Sequence, residues 1–247
     1  MRRGGRLANL LYPPACLLCH ARLDASCLVS AEDAGEASVL CRECVQAAIP
    51  NLPPVCSHCG VGLPGAFDAA MVCRACRRAS FAFDMARAPW RYVGPIRETV
   101  HQFKYYRRWR LGRWLASQMT RTAQDAFPLD EISLVLSVPS FWLKRRLKGF
   151  DPSQELGRAV ARALKKPYAL TLVRRTRWTP TQTRLHGASR FQNVRGAFAA
   201  QPAVARQTVV LIDDVLTSGA TASACAQALK SAGADRVFVL TAARTPI

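Results

Sequence analysis

Val209-Val-Leu-Ile-Asp-Asp-Val-Leu-Thr-Ser-Gly-Ala-Thr221 is the stretch on which the reading of this chain turns. Its four leading apolar residues, β-branched at the start, predict a strand buried on both faces of a parallel sheet over Val209 to Ile212. Asp213 and Asp214 follow where that strand is expected to leave the sheet. Thr217, Ser218, Gly219, Ala220 and Thr221 then form a hydroxyl-rich turn, and Ala222 to Ala232 has the pattern of a helix. A glycine turn at a helix N-terminus offers backbone N–H groups and the positive end of the dipole to an anion. Two carboxylates repel a phosphate but accept hydrogen bonds from the vicinal hydroxyls of a sugar. One loop therefore suits a ribose 5-phosphate, with the diol on the acids and the phosphate on the turn.

The same order of features resembles the phosphoribosyl-pyrophosphate (PRPP) loop of type I phosphoribosyltransferases: apolar strand, two acids, then hydroxyls around a glycine. No Gly-Lys-Ser/Thr follows a glycine loop, so it is not a Walker motif, and no Rossmann fingerprint is present. Upstream, Asp84 to Val93 reads as a strand ended by Gly94-Pro95. Ile96, Val100 and Phe103 mark a helix to Tyr106, and Leu111, Trp114, Leu115 and Met119 form the buried face of a second. Ile132 to Val138 is a strand stopped by Pro139. Asp151-Pro152 opens a helix to about Lys165, with the acid as N-cap and proline at the first position. Ala169 to Val173 and Gly196 to Ala199 are expected strands, Arg174 to Asn193 a long polar loop, and Arg236 to Thr241 the last strand. Alternating strands and helices predict an α/β fold with a mostly parallel sheet, whose ligands sit at the carboxyl ends of the strands.

Ten cysteines mark a second unit, nine of them before Arg77. Eight form Cys-x-x-Cys pairs: Cys16/Cys19, Cys41/Cys44, Cys56/Cys59 and Cys73/Cys76. Each such turn aims two thiolates at one point, so four turns supply two closed tetrahedral shells for structural zinc. Sequential and crossed pairings of the turns both satisfy the spacing. His20 and His58 lie beside ligands without being needed. Cys27 and Cys225 fall outside the pattern, and Cys225 reads as a small buried residue between alanines. The organisation expected is a double zinc ribbon over 1–80 and a PRPP-binding α/β domain over 81–247.

At 247 residues the chain is long enough for one α/β core plus a small accessory unit. No apolar run reaches membrane-spanning length and Leu7 to Tyr12 is too short for a signal peptide, so a cytoplasmic location is expected. Thirty-five Lys and Arg stand against 16 Asp and Glu, a formal charge of +19. The excess lies between Arg87 and Arg195, at Lys104 to Arg113, Lys144 to Lys148 and Arg174 to Arg177. It suits a polyanionic partner, while a general arginine bias would leave the same mark. Tyr106 and Trp109 are expected to be exposed for base stacking, with Trp114 in the core. Lys104 reads as a phosphate ligand or, more plainly, a solvated lysine. His186 is read as a proton carrier or an ordinary surface histidine.

Five further stretches occur in order: Ser137-Val-Pro139, Arg145-Arg-Leu-Lys-Gly-Phe-Asp151, Thr181-Gln-Thr-Arg-Leu185, Arg190-x-x-Asn193 and Gly196-Ala-Phe198. With Phe103-Lys-Tyr105, the acidic loop and the cysteine pairs, they resemble the ComF family over nearly the whole chain. That family joins a double zinc ribbon to a type I phosphoribosyltransferase-like domain and is linked to DNA uptake in competence. The resemblance implies PRPP with Mg²⁺ as ligand and Ser137, Val138 and Pro139 at its pyrophosphate. It also implies Arg184 and Arg190 on a closing loop, with single-stranded DNA and a competence helicase as partners. Thr217 stands where purine transferases of this fold place an acid, so no acid/base residue and no acceptor are apparent. The favoured reading is a PRPP-binding factor for incoming single strands. The alternatives are a transferase acting on an unidentified acceptor and a zinc or redox module whose transferase domain is vestigial.

Overall fold

The computed structural model describes residues 14–23, 39–65, 71–78, 80–141, 149–178 and 188–246, the side chains of 188–190 excepted. Cys27, Trp142, Lys144 to Lys148, Arg184 and His186 lie outside the described residues.

Its centre is a parallel sheet of β1 (Met85–Arg87), β2 (Trp90–Arg91), β3 (Leu134–Ser137), β6 (Thr208–Leu216) and β7 (Arg236–Arg244). The order across the sheet is β1-β7-β6-β3, with β2 also on β7. Met85 pairs with Phe238 and Trp90 with Ala243, one register interrupted at Ala88 and Pro89. Proline has no N–H to give the ladder, so the expected strand over 84–93 appears as two short pieces. Both central strands outrun their apolar cores. β6 continues past Ile212 because β7 continues beside it, pairing Asp213 with Thr241 and Leu216 with Arg244. The acids thus leave the sheet only on the β3 side, where pairing stops at Ser137 and Ile212.

Side-chain alternation then divides the molecule. Val210, Ile212, Phe238 and Leu240 face one core, shared with helices α3 (Gly94–Tyr106), α4 (Trp109–Ala126) and α5 (Pro152–Ala163). Val209, Leu211, Val237 and Val239 face the other, shared with α7 (Ala220–Ser231). A small antiparallel pair, β4 (Val173–Arg175) with β5 (Phe198–Ala200), lies on this second side. Two expectations need correction here. The strand expected over 169–173 is shifted onward, since only Tyr168 bridges to Val135 and Val173 turns to pair with Ala200. The stretch 174–193 is not all loop. Its start belongs to β4, and Ala188–Val194 forms α6, which places Val194 in the second core.

Each cysteine cluster joins a different face of the sheet. Cys16, Leu23, Val39, Leu40 and Cys41 pack into the core beneath α3, α4 and α5, with the short helix α1 (Arg42–Gln46) beside them. Cys56, Cys59, Val61 and Cys73 pack into the core beneath α7, with α2 (Arg74–Arg78) following Cys73. Trp114, expected in the core, is half-buried at its edge, stacked on Trp90 at 5.8 Å between ring centres.

Candidate functional site

Asp213 and Asp214 stand in the carboxyl half of β6, with Val215 and Leu216 completing the strand before the turn that enters α7. Asp214 is buried, and its Oδ2 lies 2.6 Å from Lys104 Nζ in the last turn of α3. Lys104 is therefore not a solvated lysine. Burial alone would lower its pKa, but the Asp214 carboxylate, helped by Asp213, holds it above the ordinary value. Asp213 is half-buried and accepts on Oδ1 from Ser153 Oγ at 2.8 Å and from the Asp214 N–H at 2.9 Å. Burial first, and then the neighbouring Asp214 charge, push its pKa up to about 7. One acid is thus fully countered by a cation while the other balances between its two protonation states near neutral pH.

The turn follows the pattern of an anion site. Gly219 has φ +80, and a Cβ there would sit 2.7 Å from the Phe81 ring. Glycine meets both demands, since it alone adopts that backbone freely and brings no side chain. No side chain caps α7 at Gly219. Thr217 is exposed, Ser218 is half-buried with its Oγ accepting from Ala220 N–H at 3.4 Å, and Ala220 is buried. Thr221 sits in the first turn of the helix.

At the end of β3 the three expected residues have different surroundings. Ser137 is buried; its Oγ donates to the Ser153 carbonyl at 2.8 Å and lies 2.8 Å from the Tyr168 hydroxyl. Val138 is in the core beneath α7, and Pro139 is half-buried. Pro139 and Ser140 open onto a cleft of about 340 Å³ lined also by Gln154, Thr171, Arg174 and Arg175. Burial pushes the pKa of the Arg175 guanidinium down, while the Asp213 charge opposes that shift. Arg190 lies on α6, its side chain undescribed, and Arg184 is outside the described residues.

Sequence reasoning missed Ser153, Arg175 and Arg244. Arg244 carried a signal, as the sole charge closing an apolar run from Val237. Ser153 and Arg175 carried none, because only the packing of α5 and the β4–β5 pair brings them to Asp213.

The cysteines resolve into sequential clusters, Cys16/Cys19/Cys41/Cys44 and Cys56/Cys59/Cys73/Cys76. Sulfur separations are 3.8 Å for Cys16–Cys44 and 3.5 Å for Cys19–Cys41; both Cys56–Cys76 and Cys59–Cys73 are 3.7 Å. A tetrahedral shell with Zn–S near 2.3 Å has edges of about 3.8 Å, so both clusters fit the ion. Backbone N–H groups of Leu18 and Cys44 point at Cys16 and Cys41 sulfurs, and those of Cys73 and Cys76 at Cys56 and Cys73 sulfurs. Burial resists thiolate formation at Cys16 and Cys56, yet neighbouring N–H donors bring each down to about 7. All four positions of each shell are cysteine, which suits structural zinc with no open coordination site.

A third surface lies at the α3–α4 junction. Tyr106 and Trp109 are 68% and 57% exposed, as expected, and Tyr105 joins them at 57%. The Arg113 guanidinium lies over the Trp109 ring at 4.4 Å. Arg108, by contrast, donates to the Leu17 carbonyl at 2.8 Å and ties α4 to the first cysteine cluster.

The double zinc ribbon domain family matches residues 7–77. Competence protein F of Haemophilus influenzae is 27% identical over 213 residues, covering 83% of this chain and 90% of the relative. DNA utilization protein YhgH of Shigella flexneri is 31% identical over 157 residues, 62% of this chain and 69% of the relative. Among solved structures, a glutamine PRPP amidotransferase from B. subtilis superposes on 52% of this chain with TM-score 0.35 and 25% identity; the chain spans a quarter of its length. No helix among the described residues is long and apolar enough to cross a membrane.

Proposed function

Because the chain belongs to the ComF family of competence and DNA utilization proteins, we propose that it is a cytosolic PRPP-binding factor that handles single-stranded DNA. The observation that carries this reading is the acid pair on β6, set before the Gly219 turn and the N-terminus of α7. Asp213 and Asp214 take the ribose hydroxyls, and the turn Thr217 to Thr221 takes the 5-phosphate. The Mg²⁺-bound pyrophosphate lies toward the turn Ser137–Pro139, of which Ser137 and Pro139 border the cleft, with Arg184 and, on α6, Arg190 as its further charged contacts. The double zinc ribbon over 1–80 braces the PRPP-binding unit over 81–247.

Ligand binding has to displace Lys104 from Asp214 or share the acid with it, so the ammonium holds the site in order until a sugar arrives. Thr217 is exposed in the place where purine transferases carry an acid, which favours binding without transfer to a purine. The exposed Tyr105, Tyr106 and Trp109, interleaved with Arg107, Arg110 and Arg113, supply faces for base stacking and charge for phosphates. A competence helicase, as the motor for incoming strands, is a partner consistent with that role.

Calorimetric titration with PRPP and Mg²⁺ tests the ligand. Asp213→Asn with Asp214→Asn removes charged acceptors worth roughly 1.5–3 kcal/mol each, so affinity falls at least tenfold. Unchanged affinity in the folded double variant would place the ligand elsewhere.

A further inference from the structure

Arg244 closes β7, and it is buried at 6% exposure. Its guanidinium reaches two parts of the chain that the sequence keeps far apart. Nη1 donates to the Leu216 carbonyl at 2.8 Å and to the Thr217 carbonyl, both at the entrance to the phosphate turn, and to the Thr245 carbonyl at 3.1 Å. Nε donates to the Cys59 carbonyl at 3.2 Å, and Nη2 points at the Cys59 sulfur at 3.7 Å. The planar fork of donors suits this use, since one rigid group satisfies several acceptors at fixed angles.

The same two regions are joined again on the other side of the turn. Phe81 packs against Gly219 and stacks on Phe83 at 5.0 Å, with the His58 ring 5.1 Å from Phe83. Ala82 N–H donates to Ser223 Oγ in α7 at 3.0 Å, and Ala86 N–H donates to the His58 carbonyl at 2.7 Å. Phe81 is therefore one wall of the phosphate turn, with His58 of the Cys56-x-x-Cys59 knuckle packed behind it.

We propose that Arg244 is a positioning residue that couples the second zinc cluster to the PRPP loop, so that order at Cys59 and order at Leu216–Gly219 rise and fall together. The inference rests on the PRPP reading for its ligand, but the strut itself does not. Arg244 holds the Thr217 carbonyl inward and shares the Leu216 carbonyl with the Thr245 N–H, which fixes the backbone at the entrance to the turn. By donating to the Cys59 carbonyl and pointing Nη2 at its sulfur, it fixes the orientation of one ligand of the closed shell. Linkage makes the effect reciprocal: a ligand that orders the turn also tightens the hold on one zinc.

The test uses the full-length, zinc-loaded chain with Arg244→Lys, which keeps the charge and loses the fork, and with Arg244→Met. Amide hydrogen exchange is expected to quicken at both 57–62 and 216–219, with 209–212 and 237–240 unchanged as the fold control. One of two zinc equivalents is expected to pass faster to a chromophoric chelator. Exchange that changes at only one of the two segments, or at neither, overturns the strut. This arm needs no ligand. In the second arm, PRPP with Mg²⁺ binds the variants at least about fivefold more weakly and slows loss of one zinc from the unmodified chain by a similar factor. Equal PRPP affinity in variants and parent overturns the positioning role. A parent chain that binds no PRPP at all sinks the ligand reading instead, and the exchange arm still decides the strut.

Discussion

Asp213 carries a charge that the fold tolerates poorly. Its folded pKa lies near 7, above the usual carboxylate value, so its protonated form favours the native state. That contribution is complete below about pH 4 and is lost by the time pH has risen through 7, because over that range the unfolded chain ionises while the folded site keeps its proton. Asn at 213 still accepts from Ser153 and from the Asp214 N–H but never ionises. Asp213→Asn is thus expected to raise the melting temperature at pH 8 and to change it little at pH 4, as thermal denaturation at the two pH values would read. PRPP affinity should move the opposite way, strengthening in the parent chain as pH climbs through 7. A flat affinity profile would mean that Asp213 does not meet the sugar. Lys104 is the counterpart. Lys104→Met leaves the buried Asp214 without its cation, which costs about 1–3 kcal/mol in chemical denaturation. Adding Asp214→Asn should recover most of that loss.

At the scale of elements, the apolar code was legible and the pairing was not. Val209 to Ile212 announced β6, and Asp151-Pro152 announced α5 with its acid accepting from Gln154 N–H. The strands' true ends were hidden, because a neighbour's ladder rather than composition carries β6 through two aspartates. The β4–β5 pair was hidden as well, since Arg174 and Arg175 look like loop until Ala199 and Phe198 lie opposite them. Lys104 had no sequence cue to its distant partner Asp214, whereas the acidic pair and the glycine turn were plain. Gly219 gives this scale its prediction. Alanine there combines a positive φ with a clash on Phe81, so Gly219→Ala should cost about 1–3 kcal/mol and weaken PRPP binding beyond that of a surface control. Wild-type affinity and stability together would show that the turn relaxes freely.

Across the whole molecule, the cysteine clusters and the charge act at different places. Metal analysis of freshly purified protein is expected to give two zinc ions per chain, and a value near zero with all thiols titratable would remove them. Single strands should bind with little sequence preference and with log affinity falling linearly in log salt. Arg107→Ala with Arg110→Ala should reduce that slope by roughly 0.7 for each phosphate no longer neutralised, while Arg108 is left intact because it holds Leu17. Absence of binding at low salt would assign the +19 charge to arginine bias alone. The two clusters join the cores on opposite faces of one sheet, the first sharing its core with Ile96 and Leu111, the second with Leu211 and Ala222. Neither half of such a chain is a transplantable module. Expressed from residue 81 onward, the remainder would present two uncovered oily surfaces at once and precipitate. Swapping in a foreign ribbon would require matching both sides of the sheet together, so in this lineage the cysteine-rich segment and the α/β fold are expected to be inherited as one piece.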